Sequence, residues 1–229
     1  TADIDLGNQA WTPIGNGDSS FAFSGTFDGQ GHTISGLYIN NSSANQGLFG
    51  YIDRSAIVQN LIVTGSVTTG GDATGGIVGK SPRNSGTVRN CGFYGTVTAT
   101  GTSGGVVGGG KAENCWYYSD GTASNLDVCG GTATNCVVIS SADPMKAAKL
   151  ATLQTNAPET GKVWSWKAGD AYPTLIDPPK TITMQPVFPD CTAAVSAGET
   201  KLTETNKYTY TLEETETSVT ITVSGSSEP

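Results

Sequence analysis

Val58-Gln59-Asn60-Leu61-Ile62-Val63, Val88-Arg89-Asn90-Cys91-Gly92-Phe93, Ala112-Glu113-Asn114-Cys115-Trp116-Tyr117 and Ala133-Thr134-Asn135-Cys136-Val137-Val138 are four versions of one hexad. Ile34-Ser35-Gly36-Leu37-Tyr38-Ile39 reads as a fifth, so successive starts lie 24, 30, 24 and 21 residues apart. A second element precedes three of the hexads: Gly47-Leu48-Phe49-Gly50, Gly76-Ile77-Val78-Gly79 and Gly105-Val106-Val107-Gly108, spaced by 29 and 29. A third follows two of them, Gly65-Ser66-Val67-Thr68 and Gly95-Thr96-Val97-Thr98. Each repeat holds about three short β-branched stretches and no helical period. One such repeat cannot bury its own apolar face, whereas stacked repeats share a continuous core. The expectation is an all-β chain folded as a parallel β-helix (a β-solenoid) with about three strands per coil. The general preference of parallel crossovers makes right-handed the expected hand.

Position three of the hexad carries the physical signal. Gly36, Asn60, Asn90, Asn114 and Asn135 stand there. Gly and Asn replace one another where the backbone needs a positive φ, because Gly lacks a Cβ and Asn bonds locally. A left-handed corner is expected in every coil, with the bend letting Val58, Leu61 and Val63 all face inward. Stacked corners would let the Asn amides bond from coil to coil as a ladder. A row of Asn gripping a ligand is the less favoured reading. Cys91, Cys115 and Cys136 follow the corner, in the place of Leu37 and Leu61, and read as a buried column of free thiols. Cys129 falls in a degenerate Gly element and Cys191 is remote. None has metal-ligand spacing, so no metal and no cofactor is expected.

The ends differ from the middle. The opening stretch, with Trp11 and Phe21, is expected to cover one open end, since unpaired solenoid strands must be blocked. His32 is read as a turn residue bonded locally beside Asp28. After Ser141, Asp143-Pro144 reads as an N-cap and first helical residue, predicting a short capping helix over about 144–154. Trp164 and Trp166 alternate, which puts both on one face of a strand. They are the candidate ligand-binding residues, as a sugar-stacking platform; covering the second end is the favoured alternative. Asp177-Pro178-Pro179 reads as a linker. Lys207–Leu212 and Ser218–Val223 alternate as half-buried strands. The domains are therefore 1–178, solenoid with cap, and 179–229, a small β module, Ig-like or a partial β-sandwich.

Composition limits the function. The 229 residues include 31 Gly and only 14% charged side chains, and the net charge is −8. No basic stripe serves nucleic acid, and no run of about 18 apolar residues serves membrane insertion in this segment. The acidic excess at Glu199, Glu204, Glu213, Glu214, Glu216 and Glu228 reads as a solvated surface. The chain starts at Thr1 rather than Met, as a mature form or an excised piece would.

The Gly76–Gly79 and Gly105–Gly108 elements resemble the GLUG motif, which repeats in large bacterial surface and secreted proteins, adhesins among them. Gly25-Thr26-Phe27-Asp28-Gly29 with His32–Leu37 resembles the usual opening of such arrays, and Trp164 with Tyr172-Pro173-Thr174-Leu175 their usual close. The resemblance spans roughly 1 to 178. It implies an extracellular, cell-surface or cell-wall setting, a display or adhesion role, and no catalytic residues to transfer.

Three function classes compete. The favoured one is a non-catalytic, monomeric adhesion or display module whose solenoid face binds an extracellular glycan or a host or bacterial surface protein. The alternative is a carbohydrate-active enzyme, a polysaccharide lyase or glycosidase on a β-helix. That chemistry needs paired carboxylates, or a basic residue near metal-binding acids. Residues 1 to 140 hold only Arg54, Lys80, Arg83, Arg89 and Lys111 as bases. Asp72, Asp120 and Asp127 fall in separate corners, leaving Asp28 and Asp53 as the one pair to check. An ice-binding face is the third class, with only the aligned Thr68 and Thr98 to support it.

Overall fold

The structure is a computed structural model. It describes residues 2–15, 19–82, 85–118, 127–140, 145–155, 157–158 and 161–178, and beyond these the strands alone. Contacts divide the chain into two compact units, Thr1–Ile176 and Asp177–Pro229.

The first unit is a β-solenoid. After a short strand β1 (Ile4–Asp5), the chain runs through β2 (Thr26–Asp28), β3 (Thr33–Asn41) and β4 (Phe49–Tyr51). The next lap is β5 (Ile57–Thr69), β6 (Thr74–Gly75) and β7 (Val78–Lys80), and the one after is β8 (Thr87–Ala99), β9 (Ser103–Gly104) and β10 (Val107–Gly109). A partial lap follows with β11 (Lys111–Glu113) and β12 (Trp116–Tyr118), and a last one with β13 (Thr132–Thr134) and β14 (Val137–Ile139). Every pairing between laps is parallel. The long side runs β1-β3-β5-β8-β11-β13, another β4-β7-β10, and β6 pairs β9.

Register shows how the sequence builds the core. Val58 is opposite Val88, Leu61 opposite Cys91, Val63 opposite Phe93 and Val67 opposite Val97, and all eight are buried. Asn60, Asn90, Asn114 and Asn135 have φ of 54°, 49°, 51° and 52°, so the bend falls where those four hexads placed it. The fifth hexad belongs elsewhere. Ile34 pairs with Val63, and Leu37 with Gly65, so Gly36 turns a different corner, stacked on Asn8. Opposite Asn60 the earlier lap instead carries Gly29-Gln30-Gly31, with Gln30 at φ 53° and the Gly29 and Gly31 N–H groups donating to Gln59 and Asn60 carbonyls. The two corners look alike locally because each needs a left-handed residue. Only the pairing between laps separates them.

The Gly-Φ-Φ-Gly element has a packing cause. A Cβ on Gly105 would lie 1.9 Å from the Tyr117 ring, and one on Gly76 2.3 Å from Phe93. The first Gly of the element is where an aromatic side chain crosses the interior. The Phe23 and Phe27 rings, 5.0 and 5.4 Å from that of Phe49, cover the opening end together with Trp11, whose Nε1 donates to the Leu48 carbonyl at 3.1 Å. Phe21, expected in that role, is 72% exposed. Phe23 instead bridges to Ile52, which aims its ring inward.

The helix α1 (Lys146–Gln154) and the antiparallel pair β15 (Val163–Ser165) and β16 (Thr174–Ile176) close the unit. Lys-Ala-Ala-Lys-Leu-Ala favours helix. Asp143 and Pro144, read as its start, lie outside the described residues, as does Cys191. The cap does not plug the end of the core. It packs on the outer flank of the coils, where Ile62, Trp116 and Ile139 meet Leu153, Trp164, Trp166 and Leu175 in a second apolar cluster. The flanking strands are thus buried on both faces.

The second unit contains two antiparallel sheets. Strands β17 (Lys180–Thr183), β18 (Thr192–Ala197), β19 (Thr200–Lys201), β20 (Glu204–Asn206), β21 (Thr209–Leu212) and β22 (Thr220–Ser224) pair in the orders β17-β21-β20 and β19-β18-β22. Both expected strands are present in part; Lys207, Tyr208, Ser218 and Val219 lie outside the described residues.

Candidate functional site

The Asn corners form a polar row along the solenoid. One rung of the expected ladder forms, Asn90 Nδ2 to Asn60 Oδ1 at 3.3 Å. The other amides turn outward to the cap. Asn90 Nδ2 also donates to the Lys162 carbonyl at 3.2 Å, Asn114 Nδ2 to the Leu153 carbonyl, and Asn135 Nδ2 to the Thr155 carbonyl at 3.0 Å. In return Trp164 Nε1 donates to the Asn114 carbonyl at 2.9 Å, and Gln154 Nε2 to the Trp164 carbonyl at 2.9 Å. The row binds a part of its own chain, and it satisfies carbonyls at the helix C-terminus that have no partner within the helix.

Trp164 and Trp166 serve that same cover. Trp164 is 1% exposed and meets Trp116 edge-on at 6.0 Å; Trp166 is 8% exposed, bonds the Asp170 carbonyl, and lies under Lys146 Nζ. Rings so enclosed leave no open face for a sugar, and the covering role is the one their geometry carries. The aromatic surface nearer to solvent lies at the edge of the cap, where Tyr94, Tyr118 and Tyr172 are half-buried, with Tyr94 4.4 Å from Tyr118 and 4.9 Å from Tyr172. Sequence reading missed this cluster; the apolar runs Leu61-Ile62-Val63 and Cys115-Trp116-Tyr117, which do not alternate, were the available sign of strands covered on both sides.

Beyond the tyrosines the same strands present a polar outer face. Tyr38, Ser66 and Thr96 stand in one column and Asn40, Thr68 and Thr98 in the next. Thr96 Oγ1 donates to Ser66 Oγ at 3.1 Å, and Tyr38 is 38% exposed. No charged side chain stands in either column. This adds Asn40 as a third rung to the aligned Thr68 and Thr98.

The acidic candidates separate. Asp28 accepts from Gln59 Nε2 at 2.7 Å, Gln30 N at 2.9 Å and Asn60 Nδ2 at 3.0 Å, and Arg89 Nε donates onward to Gln59 Oε1 at 2.9 Å. Partial burial pushes the Asp28 carboxyl up, but the bonds from Gln59, Gln30 and Asn60 outweigh it and hold the group below its ordinary value. Asp28 is paired in register with Gln59, whereas Asp53 follows the Phe23–Ile52 bridge, so the two do not face one another. His32 bonds Asp3, not Asp28, Nδ1 to Oδ1 at 3.1 Å. Its turn character stands; its partner comes from the lap before.

Cys91, Cys115, Cys129 and Cys136 are free thiols. Burial pushes the Cys115 thiol well up and the Cys129 thiol up, and for Cys136 the contact with Cys115 does so first and burial second. A protonated, buried thiol is a poor nucleophile. The column stops short of Leu37, which the register assigns to another corner.

No family model matches the chain, and no solved structure matches it. Two proteins are similar to parts of it. Halomucin from Haloquadratum walsbyi is 40% identical over 119 residues, which cover 47% of this chain and 1% of halomucin. A Gly-rich membrane protein from Evansella cellulosilytica is 41% identical over 70 residues, 30% of this chain and 8% of that one. The chain therefore spans a small fraction of the length of the proteins it matches. No helix among the described residues is long and apolar enough to cross a membrane.

Proposed function

We propose that this chain is a non-catalytic display and adhesion module of a larger envelope or secreted protein, lying at the cell surface and holding a glycan or protein partner against one face of the solenoid. The observation that carries the reading is the uncharged face of Tyr38, Ser66, Thr96, Asn40, Thr68 and Thr98, held in register by continuous parallel pairing. Hydroxyls and amides on a fixed spacing, with an aromatic ring at one edge, suit a neutral polyol, which offers hydroxyls to bond and C–H faces to stack. Similarity to short stretches of halomucin and of a membrane protein supports a surface setting, as does the resemblance to GLUG arrays. The buried thiols and the internally bonded Asp28 favour binding over catalysis.

The test is retention on arrays of cell-wall and extracellular glycans and of surface proteins, for the wild type and for a Tyr38→Ala, Thr96→Glu double variant. Retention by the wild type, lost in the variant with its fold intact, supports the reading. Shortening of a polysaccharide by the wild type would overturn it in favour of the carbohydrate-active enzyme.

A further inference from the structure

The last lap is less enclosed than the one before it. Ala112, Cys115 and Tyr117 are fully buried in the core, whereas Ala133 is exposed and Cys136 and Val138, their counterparts one lap on, are half-buried. The thiols of Cys91, Cys115 and Cys136 share one pose. Each donates to the carbonyl two residues back, Arg89 at 3.2 Å, Glu113 at 3.2 Å and Thr134 at 3.3 Å. Their sulfurs therefore stand in file from lap to lap, and Cys115 meets a thiol on either side.

Cys115 and Cys136 are direct neighbours. Asn114 N–H donates to the Thr134 carbonyl at 2.9 Å, and Val137 N–H to the Cys115 carbonyl at 3.0 Å, which brackets the pair. Between these bonds Cys115 N–H points at Cys136 Sγ, 3.4 Å away. Neighbouring laps lie about 4.8 Å apart, within the Cα separations that disulfides span, and the Cβ atoms must close by about 1 Å. Cys91 and Cys115 have the same lap spacing, but β8 and β12 belong to laps paired on both sides, so closing that pair compresses a packed core. Among the described strands β14 pairs with β12 alone, and a tilt of the last lap is enough to bring Cys136 in.

We propose that Cys115 and Cys136 are a redox latch, joined by a disulfide that fastens the last lap to the body of the solenoid. The half-buried Cys136 reacts first. Its sulfur gives up a proton and attacks one sulfur of a small external disulfide; that S–S bond breaks, a mixed disulfide forms, and the departing thiolate takes a proton from solvent. Cys115, likewise deprotonated, then attacks Cys136 Sγ and expels the second small thiolate, which is protonated in turn. The two cysteines lose two hydrogens in all, and the external disulfide is reduced to two thiols. Burial keeps both cysteines protonated, so the exchange is slow and quickens as the pH rises. The cell-surface setting proposed above is one in which such disulfides persist. The latch goes beyond the adhesion reading, because it works in the core and not on the face.

The purified full-length protein is incubated with oxidised glutathione at about pH 8.5, the ordinary thiol range, then alkylated and mapped by mass spectrometry. Expected is a Cys115–Cys136 link, reversed by dithiothreitol, with Cys91 and Cys129 still alkylated. Oxidation is expected to slow amide exchange at Val137–Ile139 at least about tenfold, and to do neither in Cys136→Ser. A Cys91–Cys115 link, Cys136 joined to Cys129 or Cys191, a lasting glutathione adduct on Cys136, or no reaction would each overturn the proposal. A Cys115–Cys136 link that leaves exchange in β14 unchanged would overturn the latch, as would equal slowing in Cys136→Ser. None of these results bears on whether the face holds a glycan.

Discussion

Asn114 does three jobs that separate cleanly under substitution. Its backbone sits at φ 51°, its amide donates to Leu153, and its carbonyl accepts Trp164 Nε1. Asn114→Gly keeps the corner and loses the amide bond, for about 1 kcal/mol plus what the freed carbonyl costs. Asn114→Ala loses the same bond and adds about 1–2 kcal/mol for a Cβ in the left-handed region. Urea midpoints are therefore expected in the order wild type, Gly, Ala; an Ala variant as stable as the Gly one would remove the strain argument. Gly105 makes the complementary case. With its Cβ position 1.9 Å from the Tyr117 ring, Gly105→Ala must displace an aromatic in a closed core, at about 1–3 kcal/mol. Gly105→Ala combined with Tyr117→Leu should recover part of the loss, measurable as non-additivity in a double-mutant cycle.

At the scale of elements, a corner and a hexad were readable from residue types because each demands something of the backbone or the core. Asn60, Asn90, Asn114 and Asn135 met that demand where expected. Ile34–Ile39 met the same local demand in another place, and nothing in six residues distinguishes one left-handed corner from the next. The cap shows the other gap. A helix and two tryptophans were evident, but their destination depends on which outer face of the coils is apolar, and the sign was the break in alternation at Ile62 and Trp116. The flank makes a prediction of its own. Trp164 is almost wholly buried against Trp116, so Trp164→Ala should cost about 3–5 kcal/mol. Loss of that cover wets Trp116, so tryptophan emission should move to the red. The cap touches β5 and β8 at Ile62, Asn90 and Tyr94, but their pairing continues beyond it from Ser66 opposite Thr96 to Thr69 opposite Ala99, where slow amide exchange should persist. Loss of protection across β5 and β8 as well would mean that the cap and the coils unfold as one.

For the whole solenoid, successive laps are tied by carboxylates as well as by strands. Asp3 takes the N–H of Thr33 in the next lap at 2.9 Å, Asp28 takes Gln59 and Asn60, and Asp72 takes the N–H of Thr102 at 2.6 Å. All three titrate below the ordinary Asp value of 3.8. The main-chain bond from Thr33 and then His32 lowers Asp3; for Asp28 partial burial opposes the shift and the bonds from Gln59, Gln30 and Asn60 prevail; for Asp72 the Thr102 hydroxyl and N–H act first. A group whose folded value is depressed contributes its full stability above the unfolded value and loses it as the pH falls through the folded one. Net charge acts the other way, since the chain carries −8 at neutral pH and nears zero at its pI of about 4.5, which relieves self-repulsion. Thermal midpoints should therefore hold level or rise slightly from pH 7 to about the pI and fall below pH 3.8, where the ties between laps are protonated. The Asp3→Asn, Asp28→Asn, Asp72→Asn triple variant should start lower at pH 7 and show a flatter acid limb. An acid limb as steep as in the wild type would place the pH sensitivity in other groups.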